Sequence, residues 1–379
     1  MKDPRVAKLA NTLLTYSVRI QPGEKLMIET QGPSTQEIVQ ELITRCTELG
    51  GIPLWVNMDA RLTRRFLKGA KENQIKAWGE LHNSMMKQMD AYLAIRDPEN
   101  VMEMSDLSKE ANAWYGAHYR KPVHMETRLK QTKWCVLRWP NNAMAQLAET
   151  SQEAFEDYYF NVCNLDYAKF SKAMHPLHEL MQRTDKVRIV APHTDLTFSI
   201  KNIPAIQCDG QLNIPDGEIF TAPVRESVNG TIQYNCPTIQ DGTLFKNIRL
   251  QFKNGKIVEA TCDGDNKKLN AVFDIDSGAR YVGEFAIGLN PHIHHPMKDI
   301  LFDEKIYGSI HMAMGNAYDE APNGNSSALH WDLVLIQTPE YGGGELYFDD
   351  KLIRKDGEFL LPQLQEKLSR QALLANAGK

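Results

Sequence analysis

Residues 302–336 read FDEKIYGSIHMAMGNAYDEAPNGNSSALHWDLVLI. Two apolar runs with strand character flank a Gly/Asn/Pro-rich connection, and four polar side chains, His311, Tyr318, His330 and Asp332, are set into them. Imidazoles and carboxylates in apolar strands are costly to bury unless something binds them. Divalent metal ions are common partners for both groups. In a strand over 329–336, side chains at i and i+2 share a face. His330 and Asp332 therefore point together, and Leu329, Trp331, Leu333 and Leu335 line the other face. H-x-D is a short pattern. It fits a ligand pair at a strand's mouth and equally a hydrogen-bonded pair stabilising a strand end. His311, between Ile310 and Met312, also fits a satisfied core histidine. Tyr318 fits a half-buried loop anchor, or a phenol donating to a developing oxyanion.

Working outward, Glu284 lies in YVGEFAIGLN, an apolar run where an unpaired carboxylate is heavily penalised. Its partner is either an arginine, Arg280 for instance, or a metal, with a general-base role beside it. Glu218, in NIPDGEIFTAP, follows an Asp-Gly turn and by itself reads as a turn-flanking surface residue. His292, His294 and His295 stand between Pro291 and Pro296 in a loop with no adjacent acid. They read as a solvated or interface cluster rather than a ligand set. Asp274 and Asp276 lack the remainder of a calcium loop.

The same texture extends across the C-terminal half. Residues 187–200 alternate apolar and polar, 248–260 read as a hairpin about Asn254-Gly255, and 345–359 read as another, with a terminal helix from about 361. The N-terminal half alternates strand and helix. Strands are expected at 25–30, 53–58, 91–96 and 134–139. Asp3-Pro4 opens a first helix, and Ser34 with Glu37 forms a capping box for a second. Such alternation implies a largely parallel sheet covered on both faces. The expected fold is thus α/β with two domains. Residues 1–186 form an N-terminal α/β domain, and residues 187–379 a mixed, β-rich α+β catalytic domain. The loop after the first strand, QGPS, has neither G-x-G-x-x-G nor G-K-[ST], which argues against a nucleotide site and a nucleotide-dependent oxidoreductase.

With 42% hydrophobic and 24% charged residues, the 379-residue chain can bury a sizeable core. A net charge of -5 argues against a nucleic-acid surface. No apolar run is long enough to span a bilayer, and residues 1–20 lack signal-peptide character. Six dispersed cysteines without C-x-x-C fit reduced thiols in a cytoplasmic protein and disfavour thiolate zinc.

Taken together, NIPDGEIFTAP (213–223), GEFAIGLNP (283–291) and FDEKIYGSIHMAMGNAY…GNSSALHWDLV (302–334) resemble the thermophilic-type metallo-aminopeptidases, the aminopeptidase T and aminopeptidase S group. The resemblance spans essentially the whole chain. It implies Glu218, Glu284, His311, His330 and Asp332 as ligands of two divalent ions, zinc, cobalt or manganese, in a C-terminal catalytic domain. At least one carboxylate would bridge the ions. It also implies Tyr318 as the oxyanion partner, with Glu284 as the candidate proton carrier. The implied activity is release of N-terminal residues from short peptides through a two-metal-activated water. A homodimer with an enclosed chamber is implied as well. The HIHHP stretch (292–296) departs from the family pattern. A metal-dependent hydrolase of non-peptide amides, or an inactive peptide- or metabolite-binding relative, are the alternative readings.

Overall fold

The structure is a computed structural model, and residues 3–376 are described. Contacts divide the chain into two compact units. The first comprises the residues up to Asn164 together with Gly210–Ile214; the second comprises Leu165–Asp209 and the chain from Pro215 onward. The fold is mixed α/β, with one parallel and two antiparallel sheets.

In the first unit, β1 (Lys25–Gln31), β2 (Ile52–Asn57), β3 (Ala91–Arg96) and β4 (Lys133–Arg138) run parallel in the order β2-β1-β3-β4. The short segment Asn213–Ile214 adds in parallel beside β4. The central strands β1 and β3 are buried along nearly their whole length, as strands of a parallel sheet covered on both faces are. Helix Pro4–Thr12 is capped by Asp3, whose carboxylate accepts from the Arg5 amide. The capping box expected at Ser34 does not form. Asp97 captures both the amide of Ser34, at 2.8 Å, and its hydroxyl, at 2.5 Å, so helix Gln36–Glu48 begins after an uncapped Thr35.

The second unit contains a nine-stranded antiparallel sheet and a five-stranded one. In the larger sheet, Thr243–Lys253 turns into Lys256–Asp263 through Asn254 (φ 48°) and Gly255 (φ 81°). Two successive left-handed residues are what a tight type I′ hairpin needs. The smaller sheet holds β5 (Ile206–Cys208), β6 (Glu218–Thr221), β7 (Val282–Gly288), β8 (Ser309–Gly315) and β9 (His330–Ile336), in the order β9-β8-β7-β6-β5. Helix Tyr167–Arg183 packs against β5 and β6. This packing is why the contacts divide the chain near residue 165, whereas the change of sequence texture falls near 186.

Candidate metal centre

Register decides which side chains meet. Asp332 on β9 stands opposite Ala313 on β8, which stands opposite Glu284 on β7; His330 stands opposite Gly315, and His311 opposite Ala286. Glu218 on β6 stands opposite Gly288. Side chains directly opposite, or two apart on one strand, share a face. All five acids and imidazoles therefore project from one face of this sheet. Between them stand only Ala286, Gly288, Ala313 and Gly315, whose small side chains leave room above the strands.

Glu284 reaches this face through a β-bulge. Val282 pairs with Met314 but Glu284 pairs with Ala313, so Gly283 is an extra residue. In unbroken register Glu284 would oppose Met312 and point to the far side, since a one-residue slip reverses the face. A Cβ at position 283 would lie 2.2 Å from the Asn316 carbonyl oxygen, so the bulge requires glycine.

The donors converge closely. His311 Nε2 lies 3.4 Å from Glu218 Oε2, 3.3 Å from Glu284 Oε1 and 4.0 Å from Asp332 Oδ1. His330 Nε2 lies 3.4 Å from Glu284 Oε2 and 3.6 Å from Asp332 Oδ1. Glu284 thus turns one oxygen to each histidine. Two triads result, Glu218/Glu284/His311 and Glu284/His330/Asp332, each with donor atoms within 4.8 Å of one another. Backbone carbonyls fix the imidazoles. His311 Nδ1–H donates to Glu304 O at 3.1 Å and His330 Nδ1–H to Asn316 O at 2.9 Å, leaving both Nε2 atoms to the cluster. Tyr318 is 44% exposed and lies over His330, with ring centroids 4.5 Å apart.

Lys305, Glu304 and Asp216 belong to the centre and carry no signal in the sequence beyond their polarity. Lys305 is fully buried, and its ammonium donates to Glu218 Oε1 at 2.9 Å, contacts Glu304 closely and lies 3.8 Å from Asp216. Burial opposes its charge, but Glu218, Glu304 and Asp216 hold its pKa well above the usual lysine value. Two expectations, for Glu218 and for Arg280, are corrected. Glu218 is buried rather than at the surface. Arg280 pairs with Asp274 at 2.7 Å, not with Glu284. Asp276 is a loop tether, accepting from the amides of Gly278, Ala279 and Ala328 and from the Ser327 hydroxyl. His294 accepts from Arg370 at 2.5 Å and His295 meets Tyr341 OH at 3.2 Å; among the described residues, no donor group includes any of the three loop histidines.

The donor set fits divalent ions. Glu218 Oε2, Glu284 Oε2 and Asp332 Oδ1 are buried and, among the described residues, have no hydrogen-bond partner, although all face the cluster. Buried acceptors are rarely left so. Five carboxylates (Asp216, Glu218, Glu284, Glu304, Asp332) share the centre with one ammonium, and with both imidazoles neutral, as metal ligands must be, two divalent ions would neutralise the excess of four charges. The pKa values carry the same strain. Burial raises Glu218, and it raises Asp332 to about 6. Burial works against charge on the histidines too, but the carboxylates prevail: Glu218, Glu284 and Asp332 raise His311 to about 9, and Asp332 and Glu284 raise His330 to about 10. Burial pushes Glu284 upward, yet His311 and His330 hold it down at about 2.

Nitrogen and oxygen donors arranged in two triads about a shared carboxylate have the chemistry of a metal centre. Comparison with known proteins agrees. The family described as thermophilic metalloprotease (M29) matches residues 2–359, and the chain belongs to that family of metalloprotease enzymes. Aminopeptidase PepS of Streptococcus thermophilus is 27% identical over 369 residues, covering 86% of this chain and 87% of its own. Aminopeptidase T of Thermus thermophilus is 37% identical over 139 residues, a match limited to 32% of this chain and 34% of the relative. Among solved structures, AmpT from Thermus thermophilus superposes with a TM-score of 0.76 at 21% identity, over 94% of this chain and 99% of that one. The 2,5-dihydroxypyridine dioxygenase from Pseudomonas putida KT2440 shares the fold with a TM-score of 0.59 at 13% identity, over 95% and 98% of the two chains.

Proposed function

We propose that this protein is a two-metal aminopeptidase that removes N-terminal residues from short peptides. The observation carrying this reading is the split of Glu284 between two histidines, each completed into a triad by a further carboxylate. In this reading Glu218, Glu284 and His311 hold one divalent ion, and Glu284, His330 and Asp332 the other. Zinc, cobalt or manganese would suit such mixed ligands. The ions would supply an activated water and a polarised scissile carbonyl.

The protein's own groups do the rest. The carbonyls of Glu304 and Asn316 keep both Nε2 atoms directed at the centre. Tyr318, exposed at the rim beside His330, donates to the oxyanion as it forms. A proton must pass from the water to the leaving amine. Glu284 is one candidate, although both its oxygens are engaged by the triads. Glu304, whose carboxylate lies within 4.8 Å of the His311 and Asp332 donor atoms, shares the candidacy. The same reading places the centre in a C-terminal catalytic domain of a cytoplasmic homodimer.

The test is metal content of the purified protein, with hydrolysis of Leu- and Arg-amide fluorogenic substrates before and after chelation. About two ions per chain, and activity lost to chelator and restored by zinc, cobalt or manganese, are expected. Bound metal without peptidase activity would move the assignment to another metal-dependent hydrolase. No metal after reconstitution would make a binding protein the better reading.

A further inference from the structure

Next to the Glu218 triad lies a further group of donors. Cys208, Asp216 and Glu218 offer ligand atoms within 4.8 Å of one another. Their geometry follows from the sheet: Cys208 on β5 stands opposite Glu218 on β6, and Gly217 (φ 130°) turns the chain from Asp216 into that strand. Thiolate with carboxylates is a competent set for zinc or cobalt. The place beside it is taken by Lys305. Its ammonium is 2.9 Å from Glu218 Oε1 and 3.8 Å from Asp216 Oδ1, and the side chain is 0% exposed. The segment carrying it is firmly held. The Asn290 amide donates to the Lys305 carbonyl at 2.9 Å. A Cβ at Gly288 would meet Ile306 O at 2.3 Å and Glu304 O at 3.0 Å, so a glycine there lets the segment lie on β7.

We propose that Lys305 is a built-in cation that occupies the donor group Cys208/Asp216/Glu218, and so ends the row of metal sites at Glu218. It is a positioning residue. By engaging Glu218 Oε1 it leaves only Oε2 to the centre, facing His311 at 3.4 Å. A long, fully buried lysine is an expensive way to satisfy a carboxylate. Its presence here is accounted for if the alternative occupant is a divalent ion, which would draw Glu218 away from His311. The inference rests on the reading of Glu218 as a ligand; the exclusion of an ion from the Cys208 group does not require peptidase activity.

Cobalt reports on this directly, because sulfur ligation adds a near-ultraviolet charge-transfer band that nitrogen and oxygen ligands do not give. The full-length wild type, titrated with cobalt, is expected to show no such band at any excess. Lys305→Met is expected to take up one additional cobalt per chain and to gain the band. Lys305→Met/Cys208→Ser is expected to lose the band again, and Lys305→Arg, which keeps the charge, to behave as the wild type. A band in the wild type overturns the proposal without any variant having to fold. So does a folded Lys305→Met protein with unchanged cobalt stoichiometry and no band. Failure of the two-metal reading is separate: it appears as absence of cobalt from the wild type, and Lys305→Met would still be expected to gain the sulfur band.

Discussion

Each unit of this protein buries a glutamate against a histidine, with opposite results. In the first, His82 Nε2 lies 3.5 Å from Glu29 Oε2; in the second, His311 Nε2 lies 3.3 Å from Glu284 Oε1. Both pairs include acceptors without a hydrogen bond among the described residues. Yet burial lowers His82 below the ordinary histidine value, whereas His311 and His330 are raised. The surroundings differ in sign. Glu29 shares its site with Arg96, Arg128 and the phenol of Tyr92, protein groups that favour its charge, although burial outweighs them and holds its pKa above the usual carboxylate value. Glu284 shares its site with Glu218, Asp332 and Glu304, and the ammonium of Lys305 offsets only part of that. A buried His–Glu pair is therefore not in itself a functional signal. An uncompensated surplus of carboxylates is, because something from outside must balance it.

The sharpest way to break this contrast is to remove one glutamate from each site. Glu284→Gln is expected to lower metal affinity and activity by more than about 100-fold, since even indirect supports of a metal ligand cost 10- to 100-fold. Glu29→Gln is expected to keep full metal content and to cost about 1–3 kcal/mol of stability from the disturbed buried polar cluster. Metal analysis and urea unfolding read the two effects. Retention of both ions by Glu284→Gln would refute its shared role.

Tyr318→Phe comes next in size. The ring still packs against His330, so metal content is expected to hold while kcat falls by about 10²–10³. Loss of metal, or full activity, would remove Tyr318 from the chemistry.

The smallest effect, and the most direct test of sign, is the pH dependence of the metal-free protein. His311 and His330 are raised on folding to about 9 and about 10. Their contribution to stability is fully present below the unfolded value of about 6.5 and is lost as pH rises through the folded values. Ion uptake runs the other way. Each imidazole must shed its proton to bind, so affinity is expected to climb across that window, by up to about tenfold per pH unit per proton released. His82, lowered on folding, should instead weaken the protein as pH falls below about 6.5. Unfolding and cobalt titrations from pH 5 to 10 would separate the limbs, and His82→Asn should make the acidic one shallower without removing it, because burial also lowers His124, His292 and His294.

Much of this was legible in the sequence because it depends on short-range pattern. The four parallel strands, the Asn254-Gly255 hairpin and the common face of His330 and Asp332 all follow from runs, turn chemistry and the period of a strand. Glu284 stands out as a carboxylate in an apolar run, whereas only the family resemblance marks Glu218 as a ligand. What stayed hidden depends on pairing between distant segments. Ser34 has the spacing of a helix cap, but Asp97 of β3's far end competes for it and prevails. Arg280 is near Glu284 in sequence, but Asp274 claims it. Lys305 looks like a surface lysine beside Glu304 until β5, β6 and the loop carrying it are brought together.

The extra residue at Gly283 has a wider consequence. Alternation along a strand works as a parity, even positions facing one way and odd the other, and the bulge resets the count just before the glutamate. Two relatives could match letter for letter at every ligand and differ only by a gain or loss of one residue here. One would keep a metal centre, and the other would present its carboxylate to the hydrophobic side of the sheet. Anyone grafting this centre onto another scaffold must therefore copy a silent glycine along with the ligands.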